Sequence, residues 1–456
     1  MAIYASINTM GMSLPSVELP TRAPKGRQEP PITMSSEFIQ STLDKCLVIP
    51  EVATDARFCK LHCVLEVVSA SGKAKRFDIL RADEDSPSLT LRASAASWEK
   101  AWSPCPPPGF QSIGALRRKV PDFTLIGEDL DIAQCLPFLE RFLEAFRNTL
   151  HPVESASMSW DGLQNITGSY LNVGQTKDSW VYRETAGSDN QPAVVMLHTA
   201  GADSRQWHGL MCDKQLQTDW SLHAFDLPGH GRSPLPSGLP NWSWRLTEED
   251  YLRWIIEYMD AAGIEKAVMM GCSMGAAIGL SLMATHPERV IGGILLETPY
   301  RSPGRRSPYL NHPKVHGARL AAAWVGSLLS PTSPKQYRDY ATWIYSQGAP
   351  AVYDGDLAFY SDDFDAGHHT GKIDALRTPL WLLTGDYDYS ATPADTIKVA
   401  SKIPGAVFAE LKGFGHFPMV ENPKGLMPYL MPALSALKNS HALSRGKRGQ
   451  RGMARS

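Results

Sequence analysis

The chain has 456 residues, with 45 Lys or Arg against 47 Asp or Glu and a formal net charge of −2. That balance excludes a generic basic nucleic-acid binder and an acidic solvating chain, so no nucleic-acid partner is expected. Apolar residues make up 43% and charged residues 20%, as in a globular chain long enough for two or three domains, or for one large domain with an appendage.

Residues 1–34 hold Pro15, Pro20, Pro24, Pro30 and Pro31 with few large apolar groups. They read as a disordered leader, without the basic start and apolar run of a secretory signal. Residues 35–150 read as a compact α+β unit. Strands are predicted over 58–68, 76–80 and 88–92. A short helix over 95–102 ends at the proline-rich run that follows it. A last strand is predicted over 123–126, then a helix over 136–150 with apolar residues at 136, 139, 143, 146 and 150.

The cysteines, at 46, 59, 63, 105, 135, 212 and 272, are odd in number and scattered. They read as free thiols, not a disulfide framework, and suit a cytoplasmic location. Cys59, His62 and Cys63 cluster, but no second Cys or His pair follows at zinc spacing, so no metal is expected.

Residues 151–185 link the halves, with an antiparallel pair expected at 170–173 and 179–183. The pattern then changes. Continuous apolar runs at 193–197, 221–225, 267–270, 293–296, 379–384 and 407–411 alternate with helical segments at 248–262, 275–285 and 394–401. This alternation predicts a parallel sheet covered on both faces. The most apolar stretch, 267–284, holds three glycines and two serines. It reads as strand, turn and helix, so a soluble protein without a membrane span is expected.

Residues 302–375 interrupt the sheet pattern. They are rich in aromatics, with Arg305, Arg306, Lys314 and Arg319 early and Asp354, Asp356, Asp362, Asp363 and Asp365 late. Two readings stand side by side. The charges are solvated or pair across the segment, or the basic aromatic part forms a pocket for a conjugated acid. Residues 442–456 carry five Lys or Arg and no acid, and read as a basic, disordered, solvated tail.

The chemistry concentrates at Gly271-Cys272-Ser273-Met274-Gly275, between an apolar strand and a helix. A nucleophile on so sharp a turn needs small flanking residues, and the helix N-terminus behind it favours developing negative charge. Ser273 is the candidate nucleophile, because only the central residue of such a turn points into the site. Cys272 is the rival. His416, in Gly413-Phe414-Gly415-His416-Phe417 after the last strand, is the candidate base. Asp388 and Asp386 both follow the strand at 379–384, and Asp388 is favoured as the acid that orients the base.

The order Ser273, Asp388, His416 is the order of an α/β-hydrolase triad, and residues 190–435 resemble that superfamily. His198-Thr199-Ala200-Gly201 resembles its oxyanion loop, which more often begins His-Gly. Asp226-Leu227-Pro228-Gly229-His230-Gly231-Arg232-Ser233 resembles the turn after the next strand, and Glu421-Asn422-Pro423 follows the histidine as in many members. The resemblance implies an α/β-hydrolase domain over 151–441, with a mostly parallel sheet and a helical lid at about 302–375. It implies oxyanion donors at the backbone N–H of Met274 and Ala200, with Thr199 the nearby alternative. Asp226, His198 and His230 are read as ordering loops. In the N-terminal unit, SLTLRASAASWEKAW and DFTLIGEDLDIAQCLPFLERFLEAF resemble the sterol-carrier-like lipid-binding fold, which implies a lipid-like ligand between sheet and helix.

The function expected from these readings is a serine hydrolase without a cofactor. It would act on a small-molecule acyl substrate (ester, lactone, thioester or dienone C–C bond) through an acyl-enzyme on Ser273. The alternatives are a lipid carrier with a degenerate hydrolase scaffold and an acyltransferase using the same residues.

Overall fold

The computed structural model describes residues 35–82, 86–152, 161–174, 179–236 and 244–453. The leader expected at 1–34 lies outside them. Two sheets organise the chain. The first is the four-stranded sheet of a smaller N-terminal α+β region, built from β1 (His62–Val68), β2 (Ala74–Leu80), β3 (Ser88–Ser94) and β4 (Thr124–Ile126), in the order β2-β1-β3-β4. β1 runs antiparallel to β2 and parallel to β3.

The helix Asp129–Leu150 shares its buried core with this sheet. It starts seven residues before the point expected from the apolar stripe and carries Pro137 in its interior. Asp129 and Asp131 in its first turn favour the helix dipole and help offset the hydrogen bond that Pro137 cannot make. Aromatic side chains pack together in the core of this region. Trp98 stacks on Trp102 at 5.5 Å between ring centroids, and Trp102 meets Phe146 at 4.9 Å. The early start of this helix also sets Cys135 against Cys59, and the two form a disulfide. The expectation of free thiols throughout is corrected for that pair, while Cys46, Cys63, Cys105, Cys212 and Cys272 are unbridged.

The second sheet has eight strands: β5 (Thr167–Val173), β6 (Ser179–Gly187), β7 (Ala193–Leu197), β8 (Ser221–Phe225), β9 (Ala267–Cys272), β10 (Val290–Leu296), β11 (Leu380–Gly385) and β12 (Val407–Leu411). Their order is β12-β11-β10-β9-β7-β8-β6-β5. β5 and β6 pair antiparallel and β6 meets β8 antiparallel, while the remaining neighbours are parallel. Alternate residues of β7 enter different cores. Val195 and Leu197 pack with the helices Glu248–Ala261 and Met274–Thr285, whereas Val194 and Met196 pack with Leu430 and Leu434 of the last helix. Covered faces on both sides explain why these strands read as unbroken apolar runs.

Between β10 and β11 the chain forms the helices Gly317–Leu328, Lys335–Ser346 and Pro350–Leu357. The first packs against the N-terminal region, burying Leu320 in that region's core. The last helix, Pro423–Met453, runs through the boundary at which a disordered tail was expected. Its buried Leu426, Leu430, Leu434 and Leu437 recur at helical spacing and anchor it to the sheet. Among the described residues no helix is long and apolar enough to cross a membrane.

Candidate active site

In the sheet order the chain passes from β7 to β8 on one side and returns to β9 on the other. Adjacent strands whose connections leave in opposite directions open a crevice at their carboxyl ends. Leu197 of β7 pairs with Gly271 of β9, so the loop beginning at His198 and the turn at Ser273 leave the sheet side by side.

Ser273 sits between β9 and the helix Met274–Thr285 at φ 55°, ψ −112°. Positive φ is costly for a side chain with a Cβ and persists where surrounding structure imposes it. Here the Ser273 N–H donates to Leu296 O at 3.0 Å, and a Cβ on Gly275 would stand 2.2 Å from Leu197 O. The turn therefore tolerates no larger residue at 275.

The loop after β12 delivers His416. Buried Glu421 holds this loop, accepting from the N–H of Gly415 and Phe417 through Oε1 and from Ser330 N–H and Ser333 Oγ through Oε2. His416 Nε2 lies 2.8 Å from Ser273 Oγ, and its Nδ1 lies 2.6 Å from Asp388 Oδ2. Asp388 Oδ1 accepts from the N–H groups of Ser390 and Ala391. All three side chains are buried. With Nδ1–H donating to Asp388, the Nε2 lone pair faces the serine hydroxyl.

Burial alone would raise the Asp388 pKa. The charge and hydrogen bond of His416, together with hydrogen bonds from Glu297 and the Ser390 N–H, bring it below the usual value. Asp386, the other candidate acid, is turned to Gly413 N–H at 2.9 Å and to Lys412. Burial raises its pKa, and it does not bond His416. The rival nucleophile Cys272 is fully buried and its thiol donates to His416 O. Burial, then the nearby acids, push that thiol well above its ordinary pKa, which disfavours a thiolate.

Within the loop that begins at His198, Thr199 has already committed its N–H to Gln206 Oε1 at 3.1 Å, and its hydroxyl meets Gln206 and Tyr345. This removes Thr199 as a backbone donor to a ligand. Among the described residues no hydrogen bond uses the N–H of Ala200. Met274 is the first residue of its helix, where the N–H has no partner within the helix. His198 bridges backbone, with Nε2 accepting from Leu227 N–H and Nδ1 on Thr199 O. Burial draws its pKa down to about 4, so it is neutral.

Asp356 was read from sequence only as one of a run of acids. In the fold it is wholly buried and ties three loops together, accepting from Gly201 N–H at 2.8 Å, Trp244 Nε1 at 2.9 Å and His230 Nε2 at 2.7 Å. A lone Asp in an acidic run carries no sequence signal for that position. The other charges of the insertion follow the pairing reading in part. Arg306 bonds Asp354 and Asp362, Arg301 pairs with Asp365, and Arg319 pairs with Asp55 of the N-terminal region.

Among the described residues, two clusters bring three ligand-type atoms within 4.8 Å of one another: Cys59, Cys63 and Cys135, and Glu297, Asp388 and His416. In the first, two of the sulfurs are bonded to each other. In the second, Asp388 occupies His416 Nδ1.

Ser273 and His416 open onto a cavity of about 420 Å³. Its walls include Ala200, Trp324, Tyr345, Tyr360 and, from the N-terminal region, Arg118. The Tyr360 hydroxyl lies by Ser273 and Ser302 but makes no hydrogen bond of ordinary geometry. Burial pushes its pKa up to about 12, leaving a neutral donor.

Comparison with known proteins agrees with this architecture. Residues 192–423 match the family described as the alpha/beta hydrolase fold. A zearalenone hydrolase of Cladophialophora bantiana is 28% identical over 276 residues, 56% of this chain and 93% of that protein. An uncharacterised carboxylesterase, nap, of Bacillus subtilis is 25% identical over 252 residues, 52% of this chain and 77% of that protein. The crystal structure of an enol-lactonase from Burkholderia xenovorans LB400 superposes with a TM-score of 0.52 at 21% identity, covering 59% of this chain and all of that one. The strand order, the turn at Ser273 and the family match agree: the chain belongs to the α/β-hydrolase fold family.

Proposed function

We propose that this protein is a serine hydrolase of carboxylic esters or lactones. The observation that carries the reading is the continuous hydrogen-bond chain from Ser273 Oγ through His416 to Asp388, opening onto a cavity. Ser273 Oγ attacks the substrate carbonyl as its proton passes to His416 Nε2. Asp388 keeps the proton on Nδ1 and stabilises the imidazolium. The N–H groups of Ala200 and Met274 receive the oxyanion, the latter reinforced by the helix dipole. The tetrahedral adduct collapses as His416 protonates the leaving oxygen. Water, deprotonated by the same imidazole, then releases the acid from Ser273. The helical insertion acts as a lid over this chemistry. The names of two relatives, an uncharacterised carboxylesterase and a zearalenone hydrolase, agree with the reading.

A fluorophosphonate probe tests it directly. The full chain is expected to gain one probe adduct at Ser273 and to cleave a p-nitrophenyl ester, with both lost in Ser273→Ala. Equal labelling of Ser273→Ala, or full turnover in His416→Ala, overturns the assignment.

A further inference from the structure

The cavity wall is cationic on one side. Arg117 and Arg118 reach it from the helix Ile113–Lys119 of the N-terminal region, and Arg305 and Arg306 from the start of the insertion. No Asp or Glu lines it. Arg306 is neutralised by Asp354 and Asp362. Among the described residues no carboxylate stands within ion-pair distance of Arg117, Arg118 or Arg305. Arg305 donates through Nη2 to Ser390 O at 2.7 Å, two residues beyond Asp388, and its buried Nε has no partner. Burial, and then the charges of Arg305 and Arg117, draw the pKa of Arg118 down. These cations therefore repel one another where the exposed Arg117 and Arg118 and the half-buried Arg305 line the cavity.

The arginine helix is docked firmly. Ser112 caps it by accepting from Ala115 N–H and anchors it by donating to Ser327 O at 2.8 Å. Glu140 accepts from the N–H of Ile113 and Gly114. A Cβ on Gly114 would stand 2.5 Å from Tyr389 Oη, so the helix lies directly on the loop that carries Asp388. Unneutralised guanidiniums held on rigid elements suit the planar, paired oxygens of a carboxylate. Trp324, Tyr345, Tyr353 and Phe417 also line the cavity and suit an apolar body.

We propose that Arg118 and Arg305 form an anion subsite shared between the N-terminal region and the insertion, and that the substrate is an ester or lactone bearing a carboxylate. The proposal rests on the hydrolase reading for its chemistry, but the subsite is testable without turnover.

Two measurements on the full chain separate the cases. The first compares kcat/KM for mono-p-nitrophenyl glutarate and neutral p-nitrophenyl pentanoate. The second compares, by calorimetry on Ser273→Ala, the Kd of glutaric acid monoanilide and of neutral pentananilide. The acid is expected to be favoured about tenfold or more in each, the scale of one charge-assisted contact. The kinetic ratio should collapse in Arg118→Gln and Arg305→Gln, chiefly through KM, and be largely kept in Arg118→Lys. Equal Kd values for the two anilides, or a ratio unmoved in both Gln variants, overturn the subsite. Tighter binding of the acid, lost in Arg118→Gln, upholds the subsite even if no ester is cleaved, an outcome that instead defeats the hydrolase reading. Arg118 lies on an exposed helix face, so its variant remains informative if Arg305→Gln fails to fold.

Discussion

The carboxyl groups of Glu297 and Asp388 face each other beside His416, and the two shift each other's pKa in opposite directions. Glu297 follows β10 in a left-handed conformation, at φ 52°, and is completely buried. Its Oε1 accepts from Gly385 N–H at 2.9 Å. Its Oε2 has no conventional partner, as expected of an oxygen that carries a proton toward another carboxylate. Burial, followed by the Asp388 charge, raises the Glu297 pKa well above normal. These directions fit a Glu297 that keeps its proton toward Asp388 and an Asp388 that stays ionised beside His416.

The sign of the pH effect follows from that shift. The folded state keeps the Glu297 proton above pH 4.5, where the unfolded chain loses it. Stability from this group is fully present below about pH 4.5 and falls as pH rises toward the folded pKa, by at most about 1.4 kcal/mol per pH unit. Glu297→Gln keeps a donor and an acceptor and has no proton to lose. Its thermal midpoint is expected to gain on the wild type steadily from pH 5 to pH 8. A constant difference across that range removes the neutral Glu297 from the account.

Asp388→Asn and Asp386→Asn separate the two acids. An amide at 388 cannot impose the same imidazole tautomer, and turnover of a p-nitrophenyl ester should fall about 10³–10⁴-fold. At 386 the contacts are Gly413 N–H and Lys412, and the loss should stay within about threefold, as for a partly buried contact worth under about 1 kcal/mol. The reverse order would transfer the role to Asp386.

Asp356 links the loop at Gly201 to His230, whose pKa is raised: burial would lower it, but the Asp356 charge and hydrogen bond prevail. Asp356→Ala leaves that histidine without its partner in a dry site and is expected to cost about 3–5 kcal/mol of stability. Asp356→Asn preserves shape but weakens the hold on the oxyanion loop, so kcat should fall while KM changes little. Wild-type kcat in Asp356→Asn would show that the loop does not depend on it.

Much of the larger sheet was legible because its parallel strands are apolar on both faces and are punctuated by glycine at the site. Ser273, Asp388 and His416 stood out as residues at strand ends or on the turns after them, and the fold brings their side chains within hydrogen-bond reach. The helices of the insertion were foreseen only as a lid implied by the resemblance, without bounds, and the buried residues of Gly317–Leu328 are shared among separate cores. The start of the helix at Asp129 was masked by Pro137, and with it the pairing of Cys59 with Cys135. The tail boundary at 442 was set by charge, although a helix backbone continues to Met453.

What the sequence determined by itself is local: which segments become buried strands, and which small residues permit a nucleophile on a sharp turn. These follow from periodicity and steric limits that act within a few residues. Tertiary structure alone decided that the Glu297 pKa is pushed up, that Asp356 is a buried tie, and that arginines nearly two hundred residues apart line one cavity. Charge and burial depend on what the fold sets beside a group, and a run of residues does not encode its own dielectric surroundings.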